Sequence, residues 1–426
     1  MLAQILPLYA LTSSKFEFIN PFSIKSTKNK MFENAPLNPP DAIFGLIEKF
    51  KKDSNPNKIN LSVGVYQDES GNTPVMNAVY EAEKELLASR GTKSYLPIDG
   101  SPSYRDAIGR LILGDELFDG SNMHFCTAQT PGGTVSLRLS GELLKRVFNV
   151  SAIWMSNPTW ANHTKIFATA GLEVKKYDYL DDSGTGIGFD KVLASLQSAT
   201  AGEAILLHAV CHNPTGVDPT PDQWKQLCDL IVEKELIPVF DFAYQGFGES
   251  IDADAAPIRN FATAGHEAIV CNSFSKNFGL YGERVGGITA ISKTKEAATA
   301  MQSQIKLMIR TMYSNPPLHG ASIVDTILND ADLRANWTAE LAEVRERIVQ
   351  LRTDFVSQLT ERLPNHDFNY INLQRGMFSF SGLTKDQVDT LQTEHSIYAL
   401  GSGRINIAGI NSSNMKQLCD AIASTY

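Results

Sequence analysis

Asn272-Ser-Phe-Ser-Lys276-Asn-Phe-Gly-Leu-Tyr-Gly-Glu-Arg284-Val-Gly-Gly287 is the stretch that decides the fold. The apolar run at residues 268–271 leads into two hydroxyls flanking a phenylalanine; one lysine follows, then one arginine in a glycine-rich turn. That pattern is a strand opening onto a loop. A lysine set just past a buried strand is desolvated, which lowers its pKa and leaves a neutral amine able to form a Schiff base. Ser273, Ser275 and Arg284 are the kind of groups that hold a phosphate monoester, through hydroxyl donors and a forked guanidinium. Together they suggest pyridoxal 5'-phosphate. A lone Ser-x-Lys is more often an ordinary surface loop, so the reading rests on what surrounds it.

From about residue 125 to 291 the texture repeats as apolar run, loop and helix-period segment. This predicts an α/β fold with a mostly parallel sheet flanked by helices. Such sheets bind ligands at the carboxyl ends of their strands, so chemically useful residues are expected where apolar runs stop. Residues 124–128 lead to Pro131-Gly-Gly-Thr134 and a helix start, where the N–H groups of Gly133 and Thr134 make a phosphate cradle. Residues 153–155 lead to Asn157-Pro-Thr-Trp160-Ala-Asn-His163, and residues 204–210 to Cys211-His-Asn213-Pro-Thr-Gly216. Residues 237–240 lead to Asp241-Phe-Ala-Tyr244-Gln-Gly-Phe247, and residues 268–271 to Lys276. Residues 220–233 leave room for a crossover helix, which brings Asn213 and Asp241 out side by side.

In these segments the chain resembles the aspartate and aromatic-amino-acid (tyrosine) aminotransferases, class I pyridoxal-phosphate enzymes of fold type I. The resemblance runs from Met31 to the end of the chain. It implies that Lys276 is the Schiff-base lysine and proton carrier. Asp241 would hold the protonated ring nitrogen, with His163 and His208 orienting the carboxylate. Asn213 and Tyr244 would hold the phenolate oxygen, and Trp160 would stack on the ring. Gly133, Thr134, Ser273, Ser275 and Arg284 would bind the phosphate, joined by Tyr95 from a neighbouring subunit. The resemblance also implies cis peptides before Pro158 and Pro214.

For the substrate, the resemblance implies that Arg404 in Ser402-Gly-Arg-Ile-Asn406 takes the α-carboxylate. Arg310, in Ile309-Arg-Thr-Met-Tyr-Ser-Asn-Pro-Pro317, would cross from the partner to take a side-chain carboxylate. Gly64, in the short extended segment 59–66, would lie over the substrate. The implied enzyme is a homodimer with shared active sites, passing amino groups to 2-oxoglutarate by ping-pong kinetics. Val65, Thr73, Thr134 and Asn315 resemble the aspartate branch, Tyr95-Leu-Pro97 and the Lys276 segment the aromatic branch, and Gln67 and Met312 neither. Dual aspartate and aromatic activity is expected, with Arg310 moving aside to water for a phenyl ring. The alternative is another fold type I enzyme, such as a β-lyase or decarboxylase, which would keep Lys276 and Asp241 without needing Arg310.

A net charge of -9 with no basic cluster argues against nucleic acid as a partner. The five cysteines have neither Cys-x-x-Cys nor zinc-ligand spacing, so free thiols, no metal and a reducing, cytoplasmic setting are expected. No apolar run is long enough for a membrane helix. Residues 1–30 are expected to be a poorly ordered, dispensable extension. Their apolar stretch at 2–11 lacks the preceding positive charge of a secretory signal. Residues 31–75 are expected to form an arm and part of a small domain, 76–343 the large coenzyme domain, and 344–426 the rest of a smaller α+β domain. Apolar residues from Trp337 to Leu359, recurring every three or four, predict one long helix ending before Pro364, and Ser412 marks the cap of a terminal helix.

Overall fold

The computed structural model describes residues 32–37, 42–89 and 91–426, so the expectations for residues 1–30 lie outside the described residues. The described residues fall into two units, 32–37 and 42–426. The first holds one 3-10 turn, Phe32–Asn34. In the second, β1 (Ile59–Asn60) precedes β2 (His124–Thr130), β3 (Ala152–Asn157), β4 (Glu173–Asp178), β5 (Ala204–His208), β6 (Ile237–Phe242), β7 (Ala268–Ser273) and β8 (Gly286–Ser292). The last seven form one sheet in the order β2-β8-β7-β6-β5-β3-β4. Strands β5, β7 and β8 are buried along their whole length, which is why residues 204–207 and 268–271 read as unbroken apolar runs rather than as alternating ones.

Every neighbouring pair is parallel except those made by β8, which runs against both β2 and β7. The residues between β7 and β8 contain no crossover helix, so the chain can only return antiparallel. That return pairs Ser273 with Gly286. Lys276 and Arg284 therefore sit at the same sheet end as the carboxyl termini of the parallel strands.

The helix Pro221–Glu233 is the crossover between β5 and β6. Thr220 caps it in a box with Gln223, and Trp224, Leu227, Leu230 and Ile231 form its buried face. It delivers β6 in register beside β5, with His208 opposite Asp241. The long helix spans Ala331–Arg362, burying Trp337, Leu341, Ile348, Phe355 and Leu359. Full burial of a side chain such as Trp337 or Phe355 stabilises by about 2–3 kcal/mol, and the helix runs unbroken through residues 343 and 344.

Beyond it, β9 (Phe378–Phe380) pairs antiparallel with β11 (Arg404–Asn406), and β10 (Ile397–Tyr398) pairs parallel with β1. The terminal helix is Met415–Ala423. Its entry turn is held by Asn411, whose Oδ1 accepts from the N–H groups of Ser413 and Asn414, and not by Ser412. Ser412 instead gives its own N–H to Glu69.

Candidate active site

Asp241 lies one residue before the end of β6 and is buried. Its Oδ2 is 3.1 Å from His163 Nε2, and His163 Nδ1 is 2.8 Å from the Thr159 hydroxyl. An ionised carboxylate can only accept, so Nε2 carries the proton and Nδ1 takes the Thr159 hydrogen. Burial pushes the Asp241 pKa up; the His163 hydrogen bond, helped by the nearby Lys276, outweighs it and leaves the pKa below the ordinary aspartate value. His208 does not play the part expected of it. Both of its ring nitrogens are buried without a hydrogen-bond partner, so it packs beside His163 at 5.2 Å between ring centroids instead of bonding Asp241. Burial lowers its pKa to about 3 and keeps it neutral. His212, not singled out in the sequence, is the bonded ring: it meets Ser156 and Thr215 hydroxyls, each at 2.8 Å, and stacks on Tyr179.

Lys276 follows β7, the strand beside Asp241, and is half-buried. Desolvation lowers its pKa, Asp241 partly restores it, and Arg284 lowers it further. Its Nζ lies 4.9 Å from the centroid of the buried Tyr244 ring. Burial raises the Tyr244 pKa, so its hydroxyl stays protonated and available as a donor. Asn213 is buried with its Oδ1 unpartnered in the protein. Trp160 is half-buried and meets His163 edge-on at 5.1 Å. The peptides Asn157–Pro158 and Asn213–Pro214 are both cis, as the resemblance implied.

The phosphate groups expected from sequence converge on the start of the helix Gly133–Arg146. Arg284 Nη1 donates to Ser275 Oγ at 3.5 Å and to the Tyr281 carbonyl at 3.1 Å, and Nη2 donates to the Pro131 carbonyl at 3.4 Å. Ser273 Oγ donates to Ser275 Oγ at 3.2 Å. Gly132, the N-cap, has φ of 83°, and a Cβ there would lie 2.6 Å from Arg284 Nη2. Only glycine fits this approach. A helix start, two hydroxyls and a guanidinium form a dianion cradle.

Arg404 is buried on β11. Its Nη2 donates to the Ser62 carbonyl at 2.6 Å, its Nε is buried without a partner, and its guanidinium carbon lies 4.1 Å from the Phe378 ring centroid. Burial lowers its pKa to about 10, so at neutral pH it remains a cation seeking an anion. Gly64 borders this place: a Cβ on it would come within 3.0 Å of Phe378 Cζ. Asn406 donates to the carbonyls of Val63 and Val65, so the turn carrying Gly64 is registered to the arginine strand. Tyr281 accepts the Tyr66 N–H and ties the same segment to the Lys276 loop.

Tyr95 and Arg310 are not brought to this site within one chain. Tyr95 is 92% exposed, and the exposed Arg310 donates to Ser314 Oγ at 2.6 Å. The sequence reading missed Thr159, His212, Phe378 and Tyr281. Thr159 and Tyr281 lie inside quoted segments; Thr159 meets His163 four residues on, but only the fold turns that pair toward Asp241, and the partner of Tyr281 is 215 residues away.

The donors fit pyridoxal phosphate: a dianion cradle at one end, a buried ionised carboxylate at the other, and an enclosed lysine with an unpartnered Asn213 amide between them. Residues 56–422 match the family described as aminotransferase class I and II. The chain is 48% identical to an aspartate aminotransferase from Salmonella typhi over 394 residues, covering 92% of this chain and all of that protein. It is 43% identical to an aromatic-amino-acid aminotransferase from Escherichia coli strain K12, with 92% and 100% covered. The crystal structure of an aromatic-amino-acid aminotransferase from Burkholderia pseudomallei, covalently bound to pyridoxal phosphate, superposes with a TM-score of 0.90 at 44% identity, covering 93% of this chain and 99% of that one. With geometry, family match and relatives agreeing over nearly the whole described chain, this protein belongs to the class I and II aminotransferases.

Proposed function

We propose that this chain is a pyridoxal-phosphate-dependent aminotransferase acting on aspartate and aromatic amino acids, with 2-oxoglutarate as amino acceptor. The observation that carries the reading is the placement of Lys276 and Asp241 after and within adjacent parallel strands, with the buried, unpartnered Nε of Arg404 across the site. Relatives named for both substrate classes, at 48% and 43% identity, support the mixed preference.

Bound pyridoxal phosphate supplies the electron sink that lets a bond at the amino acid's α-carbon break. This chain's residues do the rest. Ser273, Ser275, Arg284 and the N–H groups of Gly133 and Thr134 hold the phosphate. Asp241 keeps a proton on the ring nitrogen, Tyr244 and Asn213 hold the phenolic oxygen, and Trp160 covers a ring face. Lys276, with its lowered pKa, takes the α-proton at Nζ as a neutral amine and returns it as an ammonium. Arg404 grips the α-carboxylate in a fork, and Gly64 leaves room above the substrate.

The exposure of Tyr95 and Arg310 supports a homodimer in which each reaches the other subunit's site. The partner subunit's Arg310 would pair with a side-chain carboxylate and turn to water when an aromatic ring enters. The five free cysteines and the absence, among the described residues, of any helix long and apolar enough to cross a membrane fit the cytoplasm as its location. A single-turnover titration with aspartate and, separately, phenylalanine tests the reading through the coenzyme's absorbance. Conversion by both is expected; conversion by one alone removes the dual preference. Pyruvate release without an amino acceptor would point instead to β-lyase chemistry.

A further inference from the structure

Arg352 lies in the middle of the helix Ala331–Arg362, is 2% exposed, and, among the described residues, has no carboxylate within ion-pair distance. Burial pushes its pKa down to about 10. Asp218 nearby offsets only part of that push, so a guanidinium buried with no directly paired acid remains expensive, and a leucine would fill the same helix face without that penalty. Its donors all go to one short segment. Nη2 reaches the carbonyls of Gly376 at 2.7 Å and Phe378 at 2.9 Å, and Nε reaches Ser379 Oγ at 3.3 Å.

The Phe378 carbonyl lies on the free edge of β9, and the Gly376 carbonyl on the same side of the residues that lead into it. The other edge of β9 pairs with β11, and the intervening Met377 carbonyl is taken by the Ile407 N–H at 2.8 Å. Alternate carbonyls of a strand point to opposite sides, so those of Gly376 and Phe378 face away from β11, where no strand follows among the described residues. Arg352 stands in for that missing strand. What it holds in place is the Phe378 ring, which lies under the Arg404 guanidinium at 4.1 Å, meets Tyr244 edge-on at 6.2 Å, and abuts Gly64. A ring on the guanidinium's face leaves the edge of Arg404 as the place for a carboxylate.

We propose that Arg352 is a positioning residue for substrate binding, which by pinning the free edge of β9 seats Phe378 and thereby orients Arg404 toward the α-carboxylate. This rests on the assignment of the carboxylate to Arg404.

The test uses the holoenzyme with Arg352→Lys, Phe378→Leu and the double variant, measuring KM and kcat for aspartate together with melting temperature. Lysine keeps the charge, but its single nitrogen cannot stand both where Nη2 meets the two carbonyls and where Nε meets Ser379, and its shorter stem draws the ammonium back from the carbonyls. Each single variant is expected to raise KM about tenfold, the size of one misdirected charge-assisted hydrogen bond, with kcat falling less. The double variant should be no worse than the more affected single one, because Arg352 acts through Phe378. An additive rise in the double variant, or a lowered melting temperature with KM unchanged in Arg352→Lys, overturns the inference. Arg404→Ala separates the two readings. If it leaves KM unchanged, the carboxylate assignment itself has failed; if it raises KM while Arg352→Lys does not, only the role of Arg352 has.

Discussion

His163 Nε2 lies 3.1 Å from Asp241 Oδ2, with both side chains buried near the middle of the sheet. Desolvation alone would neutralise that aspartate, and the imidazole N–H reverses the outcome. An ionised carboxylate is thereby kept in a place closed to water, where a protonated ring nitrogen needs one. The lysine loop is built on the next strand, so the acid and the amine share one rigid scaffold instead of two mobile loops.

In the proposed mechanism, replacing Lys276 by alanine removes both the attachment point and the proton carrier. General acid–base catalysis alone contributes roughly a hundred- to ten-thousand-fold, so turnover is expected to fall at least that far, with loss of the absorbance of lysine-linked coenzyme. Steady-state rates and a spectrum of the purified variant check this. Retention of near wild-type rate would remove Lys276 from the centre of the mechanism.

Gly132→Ala forces a Cβ into a φ of 83° and to 2.6 Å from Arg284 Nη2. A φ of 83° with a ψ of 171° is open essentially only to glycine and alone costs alanine about 1–3 kcal/mol, and Arg284 must withdraw from Ser275. The variant is expected to lose coenzyme on dialysis faster than wild type while keeping its far-ultraviolet dichroism. Coenzyme retention equal to wild type would place the phosphate elsewhere.

Acid sensitivity follows from His208. Its folded pKa is about 3 against an unfolded value near 6.5, so between those values the unfolded chain binds a proton that the folded one refuses. Stability from this group is complete above about pH 6.5 and falls by about 1.4 kcal/mol per pH unit below it. Asp241, with its depressed pKa, adds a loss of the same sign only below the ordinary aspartate value of 3.8. Urea denaturation at pH 7 and pH 5 is expected to show a drop about 2 kcal/mol smaller in His208→Asn than in wild type. An identical drop in the two proteins would mean that His208 is protonated in the folded state.

Shared active sites have a direct genetic test. A hybrid dimer of a Lys276→Ala subunit with an Arg310→Leu subunit holds one doubly defective site and one wild-type site. Aspartate activity is expected to recover to about half that of wild type, although each parent homodimer is severely impaired. The Arg310→Leu homodimer should lose roughly a hundredfold on aspartate, as expected for a truncated charge pair, and far less on phenylalanine. No recovery in the hybrid would place Arg310 in its own subunit's site.

The sequence by itself determined the parts whose signals are local. Apolar runs ending in Gly, Pro and hydroxyl residues marked the strand ends that carry Gly133, Trp160, Asn213, Asp241 and Lys276, because strand burial and turn chemistry are written in neighbouring residues. The helix between Asn213 and Asp241 was legible for the same reason. Only the tertiary structure decided that β8 returns antiparallel and brings Arg284 beside Ser275, that His212 and not His208 is the hydrogen-bonded ring, and that Phe378 lies beneath Arg404 with Arg352 holding it. It also decided that Tyr95 and Arg310 are exposed in the single chain. Most of these pairings join residues tens to hundreds of positions apart, and even the short-range ones, such as Arg284 with Ser275, are set by how buried surfaces pack, which no local pattern of side chains encodes.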